Sequence, residues 1–287
     1  VGVMGPWTCD PLLARALPEV ASRLAVTRLN RDPNFNQGYW WDAVVLAEAC
    51  QTPQAVKGLL NLERYASGLV GPLNPATCGA AGLLAAAWNK PLVSWACGGE
   101  AEGWETLVKP MPEAGGVLHA VLRFFGWAHV AVVSAPQDLW REVGQDLARD
   151  LRARGLPVTV VATAGAREEE AGRALRRVQG ADGVRVVVMC MHSALLGGQE
   201  QRVLLEKAEA MGMADGTYAF VPYDALTFPL PYRRRPYPLL ANNTRLRLAY
   251  DAVLTVTVDS PDRTFQEALG RAKEAYEIPA HVDPAQV

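Results

Sequence analysis

The sequence is poor in excess charge, in long apolar runs and in targeting signals. It has 28 lysines and arginines against 30 aspartates and glutamates, for a formal net charge of −2 at pH 7. A field this weak does not recruit nucleic acid or an anionic membrane. No run of about 18 apolar residues is free of charge or proline, so no membrane span is predicted. Val1–Gly5 is typical of a buried strand and not of a signal peptide.

The motifs of the common catalytic sites are lacking as well. The turn after the first predicted strand reads Gly5-Pro6-Trp7-Thr8-Cys9 and has no G-x-G-x-x-G pattern, and no P-loop, nucleophile elbow, zinc-protease helix or kinase motif occurs. The four histidines and five cysteines do not have the spacing of metal ligands. We therefore predict no catalytic residue, no metal site and no cofactor in this chain. The cysteines are either buried thiols or disulfides.

What the sequence does contain is an alternation of short β-branched runs with long amphipathic stretches. This alternation is typical of parallel sheets with helices on both faces. We predict strands at 1–4, 41–46, 68–70, 92–95, 129–134, 158–163, 185–191 and 218–222. We predict helices at 11–30, 53–64, 80–89, 113–125, 137–154, 168–179, 200–211 and 264–276, and a further helical stretch from 243. The fold class is α/β with two doubly wound sheets.

Glycine and proline mark the predicted domain boundaries. Gly98–Gly103 and Lys109–Pro112 disfavour regular structure, which places a first lobe at 1–105 and a second at 106–225. The proline-rich loop Tyr223–Pro238 predicts a return crossing, and 226–287 then forms this crossing with a partial C-terminal segment. Val1 falls within a strand and no helix stop signal ends the chain, so we expect a piece of a longer protein.

Three residues of the first lobe follow strands at their carboxyl ends, where open α/β sheets bind ligands. They are Trp7, Asn74 and Trp95. Asn74 precedes a helix and either contacts a polar ligand or caps that helix, and capping is favoured. Trp7 and Trp95 either contact a ligand or shield the edge of the sheet.

The second lobe has four candidate ligand residues in the equivalent turns: Asp138, His192, Tyr223 and Asp224. Asp138 either faces a ligand or caps a helix, and capping is favoured. His192 either faces a cleft or bonds a neighbouring carbonyl group. An alternative function is an enzyme that uses Asp138 and His192. Nothing in the sequence indicates a substrate for such an enzyme.

Two groups of arginines are interpreted as ordinary surface features. Arg173, Arg176 and Arg177 have helical spacing from the acidic run Glu168–Glu170, which favours ion pairs on an exposed helix face. Arg233–Arg235 lies between prolines and is typical of a solvated loop.

Several long sequence stretches without a repeating pattern resemble those of a known family. They include VGVMGPWTCDPLLARALPEVASRLAVTRLNRDP, GLVGPLNPATCGAAGLLAAAWNK, VVVMCMHSALLGG and YDAVLTVTVDS. The chain resembles, along its whole length, the extracellular domain of the sensory membrane guanylyl cyclases, the retinal and olfactory branch. The resemblance implies a type I periplasmic-binding-protein-like fold of two Rossmann-like lobes, as in natriuretic peptide receptors, with its C-terminal part missing here.

The same resemblance implies several covalent and ionic features. It implies a first-lobe disulfide between Cys50 and Cys78, with Cys9 and Cys97 as a looser second pair, and it makes Asn242 a glycosylation site. In natriuretic receptors the loop of the second cysteine binds chloride beside a Gly-Cys pair. Thr77 replaces that glycine in this chain, which puts the chloride site in doubt.

The implied function is sensing. The chain would be the ligand-sensing and dimerisation domain of a receptor guanylyl cyclase, on the extracellular side of a single-pass membrane protein of a sensory or photoreceptor cell. The implied partners are a second copy of the chain and a peptide or small-molecule ligand. The membrane span and the magnesium-dependent cyclase domain, which makes cGMP from GTP, would lie downstream. The alternative is a soluble periplasmic-type protein that binds a small molecule.

Overall fold

The chain divides into two compact units. A computed structural model describes residues 1–10, 13–97, 104–226, 237–257 and 265–279. One unit consists of Val1–Pro110 and Ser260–Val287, and the other of Met111–Asp259. The predicted boundary at residue 105 falls five residues before the end of the first stretch, whereas the second unit extends beyond the predicted limit at 225. Of the predicted return crossing, 227–236 and 258–264 lie outside the described residues.

The first unit contains a five-stranded sheet with the order β2-β1-β3-β4-β5, in which every paired neighbour is parallel. The strands are short. The order in which the chain adds strands to the sheet reverses between β1 and β3. The strand bounds are β1 Gly2–Gly5, β2 Val44–Ala47, β3 Leu69–Val70, β4 Leu92–Val93 and β5 Leu107–Val108.

The described residues of the first unit form five α-helices. They are α1 Pro18–Arg31, α2 Pro33–Asn36, α3 Thr52–Leu62, α4 Pro75–Ala87 and α11 Phe265–Glu274. Apolar side chains of α3 and α4, such as Leu59 and Ala81, pack with Met4 and Leu92 of the sheet to form its core. The last helix returns to α1, where Leu269 contacts the cluster that also contains Leu24.

The second unit contains a four-stranded parallel sheet with the order β7-β6-β8-β9. The bounds are β6 Val130–Ser134, β7 Val158–Thr163, β8 Val186–Cys190 and β9 Ala219–Pro222. All five residues of β6 and of β8 are buried, as expected for central strands that are covered on both faces.

In the part of the second unit that the structure describes, six α-helices flank this sheet. They are α5 Ala114–Phe124, α6 Asp138–Ala153, α7 Glu168–Gln179, α8 Gln199–Ala210, α9 Pro238–Asn242 and α10 Thr244–Tyr250. After α10 the chain passes the sheet, and Val253 makes a single parallel bridge with Phe220 of β9. None of the described helices of either unit is long and apolar enough to cross a bilayer.

Predicted and observed elements differ mainly in the first unit. Helix α4 begins at Pro75, five residues before its predicted start, because Asn74 caps it and proline fits the first helical position. Strand β2 begins at Val44 and not at Trp41. Strand β5 was not predicted, since two residues carry no periodicity of their own and become a strand only by pairing with β4.

Candidate functional site

The carboxyl ends of β1, β3 and β4 form the candidate site of the first unit. Asn74 is buried, and its side-chain oxygen accepts a hydrogen bond of 3.1 Å from the backbone N–H of Ala76 at the start of α4. The capping interpretation of Asn74 is therefore confirmed. Its amide oxygen is engaged within the protein, and this residue fixes the start of the helix.

The two tryptophans at this edge are partly buried. Trp7 lies in the turn after β1, with its ring over Gly5, where a Cβ atom would overlap it. Its indole N–H is buried and has no acceptor among the described residues. Trp95 lies in the turn after β4 and is partly exposed. A buried donor of this kind costs free energy unless an acceptor reaches it, which makes Trp7 the candidate residue of this edge that suits a polar ligand.

Glu48 is a buried acidic residue at this edge of the sheet that the sequence analysis missed. It follows β2, its side chain is fully buried, and its two oxygens accept hydrogen bonds from the backbone N–H groups of Leu73 at 2.6 Å and Asn74 at 3.2 Å. Burial raises the pKa of the Glu48 carboxyl from 4.5 to about 7, although these hydrogen bonds pull it downwards. A charged residue directly after an apolar strand was the available signal.

The Glu48 carboxylate occupies the backbone donors of the β3–α4 loop. Thr77 and Cys78 follow this loop in the first turn of α4, and the family resemblance placed a doubtful chloride site beside them. Gly71 begins the loop with a φ of +96°, and a Cβ atom there would overlap the carbonyl group of Met4 on β1. The loop therefore packs against β1 and is held from the other side by a carboxylate of the protein itself.

Both disulfides of the structure lie at this edge, and the predicted Cys50–Cys78 pair is wrong. Cys9 is bonded to Cys50, with a Cα–Cα distance of 6.0 Å, and Cys78 to Cys97 at 5.4 Å. The suggested Cys9–Cys97 pair is wrong as well.

The strand order gives the physical reason for this pairing. Strands β2 and β3 lie on opposite sides of β1, about 10 Å apart at two strand spacings. A disulfide joins Cα atoms no more than about 7 Å apart, so it links cysteines that follow neighbouring strands. Cys9 and Cys50 follow the neighbours β1 and β2, whereas Cys78 and Cys97 follow the neighbours β3 and β4.

In the second unit, Asp138 is exposed and does not cap α6. Gln137 occupies the cap position, and Asp138 is the first residue of the helix, where its carboxylate pairs with Arg141. The favoured capping interpretation of Asp138 is therefore wrong by one residue. A carboxylate in the first turn still stabilises the helix through the helix dipole.

His192 lies where the sequence placed it, in the turn after β8. The imidazole is partly buried and meets the buried indole ring of Trp140 on α6 edge to face, with ring centroids 4.8 Å apart. This contact orients the imidazole at the end of the sheet, next to the switch in strand order between β6 and β8.

Asp224 belongs to a buried polar network at the ends of β8 and β9. Its carboxylate accepts a hydrogen bond of 2.6 Å from the backbone N–H of Ser193. Beside it, the side-chain oxygen of buried Gln201 accepts from the backbone N–H of Ala194 at 2.9 Å and from the Tyr250 hydroxyl at 3.1 Å. Gln201 and Tyr250 were missed, because only the fold brings α8 and α10 to this turn.

The phenols of Tyr223 and Tyr250 are protonated at neutral pH. Burial raises the pKa of each hydroxyl well above its ordinary value of 10. The backbone N–H of Tyr223 bonds the carbonyl of Met189 at 2.9 Å, which continues the β8–β9 pairing by one residue. These tyrosines therefore have hydroxyl groups that can donate hydrogen bonds but carry no charge.

In the described part of both units, no group of three or more histidine, cysteine, aspartate or glutamate side chains could hold a metal ion. Cys190, the cysteine outside the two disulfides, is buried at the end of β8.

The fold defines the class of this protein: an α/β protein with two lobes, each built on a parallel sheet, as in the periplasmic binding proteins. A solved ABC transporter substrate-binding protein from Desulfitobacterium hafniense matches 97% of this chain and 77% of its own, with a TM-score of 0.61 and 14% sequence identity. At that identity the likeness concerns the fold alone, and it confirms the predicted fold class.

Residues 17–286 match the family described as the receptor family ligand binding region, and the chain belongs to this family. Retinal guanylyl cyclase 2 of Homo sapiens is 46% identical to it over 291 residues, and retinal guanylyl cyclase 1 of Bos taurus is 46% identical over 296. Guanylate cyclase 2D of Rattus norvegicus is 43% identical over 287 residues. The chain spans 26% of the length of each of these relatives. The family resemblance drawn from the sequence is confirmed.

Proposed function

We propose that this chain is the extracellular ligand-sensing and dimerisation domain of a receptor guanylyl cyclase. The observation that carries the proposal is identity of 43–46% along the whole chain to three guanylyl cyclases, two retinal and one named 2D. The cyclase activity, with its magnesium and GTP, would belong to the part of the parent protein beyond this chain. A ligand or partner that prefers one arrangement of the domain would then bias the cyclase.

Two covalent features support an extracellular location. Two disulfides are typical of proteins that fold in an oxidising compartment. Asn242 of the sequon Asn242-Asn243-Thr244 is exposed at the end of α9, accessible to glycosylation. Secreted expression in mammalian cells followed by removal of N-glycans should therefore lower the apparent mass of the chain. The variant Asn242→Gln should show no such change, and an unchanged wild-type mass would contradict the glycan.

The ligand residues that we propose lie in the turns that follow the strands. In the first unit these are Trp7 and Trp95. In the second unit these are His192 and Tyr223, beside the network that holds Asp224. In our proposal, Asn74 and Asp138 stabilise the starts of α4 and α6 and affect a ligand only indirectly.

A chimera tests the receptor function. The segment of human retinal guanylyl cyclase 2 that matches this chain is replaced by the chain, and cGMP formation is measured in membranes of transfected cells. We expect activity within about threefold of the parent cyclase, a difference of less than 1 kcal/mol. Activity no higher than that of a cyclase without the segment would contradict the proposal.

Sedimentation of the secreted chain tests the dimerisation role. We expect a concentration-dependent dimer in sedimentation velocity. A chain that stays monomeric at every concentration and is stabilised by a small molecule in a thermal-shift screen would instead support the alternative, a soluble small-molecule-binding protein.

A further inference from the structure

The second unit has a surface cavity that none of the proposed ligand residues lines. Its volume is about 360 Å³, within the range of small-molecule sites. One side is built from the end of β7 and the turns after β6 and β7, and the other side from α7. The lining residues are Pro136, Ala162, Thr163, Gly165, Glu170, Arg173, Ala174 and Arg177.

Arg173 and Arg177 place two positive charges on this cavity. They are one helical turn apart on α7, so their side chains rise from the same face of the helix about 6 Å apart. Both are exposed, and neither forms an ion pair within the described part of the chain. A pair of guanidinium groups at this spacing can hold one oxyanion between them.

Two of the three acidic residues that the sequence offers as partners are engaged elsewhere. Glu168 lies 3.8 Å from the ammonium group of Lys207 on α8, and Glu170 pairs with Arg167. The predicted pairing of Arg173 and Arg177 with the acidic run is therefore wrong. Glu168 and Glu170 pair with other cations, and the two arginines line the cavity.

The other lining residues determine which kind of ligand the cavity can bind. Glu170 adds one negative charge to the cavity, but the guanidinium group of its partner Arg167 neutralises it, so the two arginines of the wall determine the sign. Ala162 and Ala174 are buried and apolar, and Pro136 adds an apolar surface. An occupant therefore needs an anionic group for the arginines and a short apolar part for the other wall.

We propose that this cavity binds a small organic anion whose carboxylate or phosphate group lies between Arg173 and Arg177. The proposal concerns the second unit alone and does not rest on the receptor function proposed above. Two charge-assisted contacts, one from each arginine, supply most of the affinity.

Thermal shift and isothermal titration calorimetry test the site on the intact chain, with succinate and inorganic phosphate as probes and ionic strength held constant with NaCl. Butane-1,4-diol, which matches succinate in length but carries no charge, is the ligand control. We expect saturable binding of at least one anion below about 10 mM and no binding of the diol.

Three variants assign the binding to the cavity. The double variant Arg173→Ala/Arg177→Ala should weaken anion binding at least about tenfold. Arg176→Ala removes one positive charge from the same helix outside the cavity, and binding should stay within about twofold of wild type. Glu170→Gln removes the negative charge of the lining and should strengthen binding.

Each contrary result overturns the proposal. Absence of saturable binding by both anions would exclude the site. Equal weakening by Arg176→Ala and by the double variant would show attraction to the general charge of α7. Unchanged binding in the double variant would place the anion elsewhere, and unchanged circular dichroism spectra would show that each variant is folded.

Discussion

The Glu48 carboxylate accepts a hydrogen bond of 2.6 Å from the backbone N–H of Leu73, which lies 25 residues further along the chain. This bond joins the end of β2 to the loop before α4, across the strand β1 that separates them. The carboxylate is fully buried and meets two backbone donors. Its ionisation therefore affects how stably the first unit holds this loop.

The first prediction is a pH dependence that depends on Glu48. Because the pKa of Glu48 is raised from 4.5 to about 7 in the folded protein, the folded state keeps a proton that the unfolded state loses. This contribution to the free energy of unfolding is present below pH 4.5 and is lost as the pH rises to about 7, with a total of about 3 kcal/mol.

Urea denaturation of wild type and Glu48→Gln between pH 4 and 8 measures this effect. The variant lacks the titrating group, so the difference between the two free energies of unfolding should change across this window. The free energy of unfolding of wild type should fall relative to that of the variant as the pH rises. Groups other than Glu48 cancel in this difference. Two parallel curves would contradict the assigned titration.

The second prediction concerns the disulfides. Mass spectrometry of the unreduced, digested chain should find Cys9 linked to Cys50 and Cys78 linked to Cys97. Removing the second bond by Cys78→Ser/Cys97→Ser should cost about 3 kcal/mol of stability, because the unfolded chain regains the conformational entropy of a loop closed across a sequence separation of 19. A peptide that links Cys50 to Cys78 would contradict the strand order of the first sheet.

The third prediction is that alanine substitutions at two glycines of α4 change the stability of the protein in opposite directions. A Cβ atom at Gly82 would overlap the ring of Trp104, whereas a Cβ atom at Gly79 meets nothing within 4 Å. Alanine is favoured over glycine in a helix by up to about 1 kcal/mol, so Gly79→Ala should stabilise the protein by a few tenths to 1 kcal/mol.

Gly82→Ala should instead destabilise the protein by about 1–3 kcal/mol, because the indole ring must move. The midpoints of urea denaturation of both variants measure the two signs. Stabilisation by both substitutions would show that Trp104 does not pack on α4.

The fourth prediction tests the buried network of the second unit. Tyr250→Phe removes the hydroxyl that donates to Gln201, and should lower the free energy of unfolding by about 1 kcal/mol. Tyr218→Phe is the matched control, because the Tyr218 hydroxyl has no hydrogen-bond partner among the described residues and its ring stays beside Arg185. A loss of stability in the control as large as in Tyr250→Phe would contradict the role of this hydrogen bond.

Local chemistry explains which parts of the fold were predictable. The apolar run Val186–Cys190 predicted a buried strand, and it became one, since five consecutive apolar residues are only stable between two covered faces. Asn74 before Pro75 predicted a capped helix start, which depends on the backbone geometry of a few adjacent residues. Most helices of the second unit agree with their predicted limits within two residues for the same reason.

Non-local relationships explain the failures. The predicted Cys50–Cys78 bond failed because the order of strands in a sheet is not written in the spacing of cysteines. Glu48 directly follows a strand, and only the neighbouring loop makes it a buried acceptor. Gln201 and Tyr250 are 49 residues apart in the chain, and no local pattern joins them.

The sequence by itself determined the α/β class, the alternation of strands and helices, and the family of receptor ligand binding regions, because these depend on apolar periodicity and on long shared phrases. Tertiary structure decided the disulfide pairing, the buried carboxylate of Glu48 and the direction of Arg173 and Arg177 towards a cavity. Each of these depends on which strands and helices become neighbours. Packing of the whole chain sets that arrangement, since burial of apolar surface is favourable only when the elements come together.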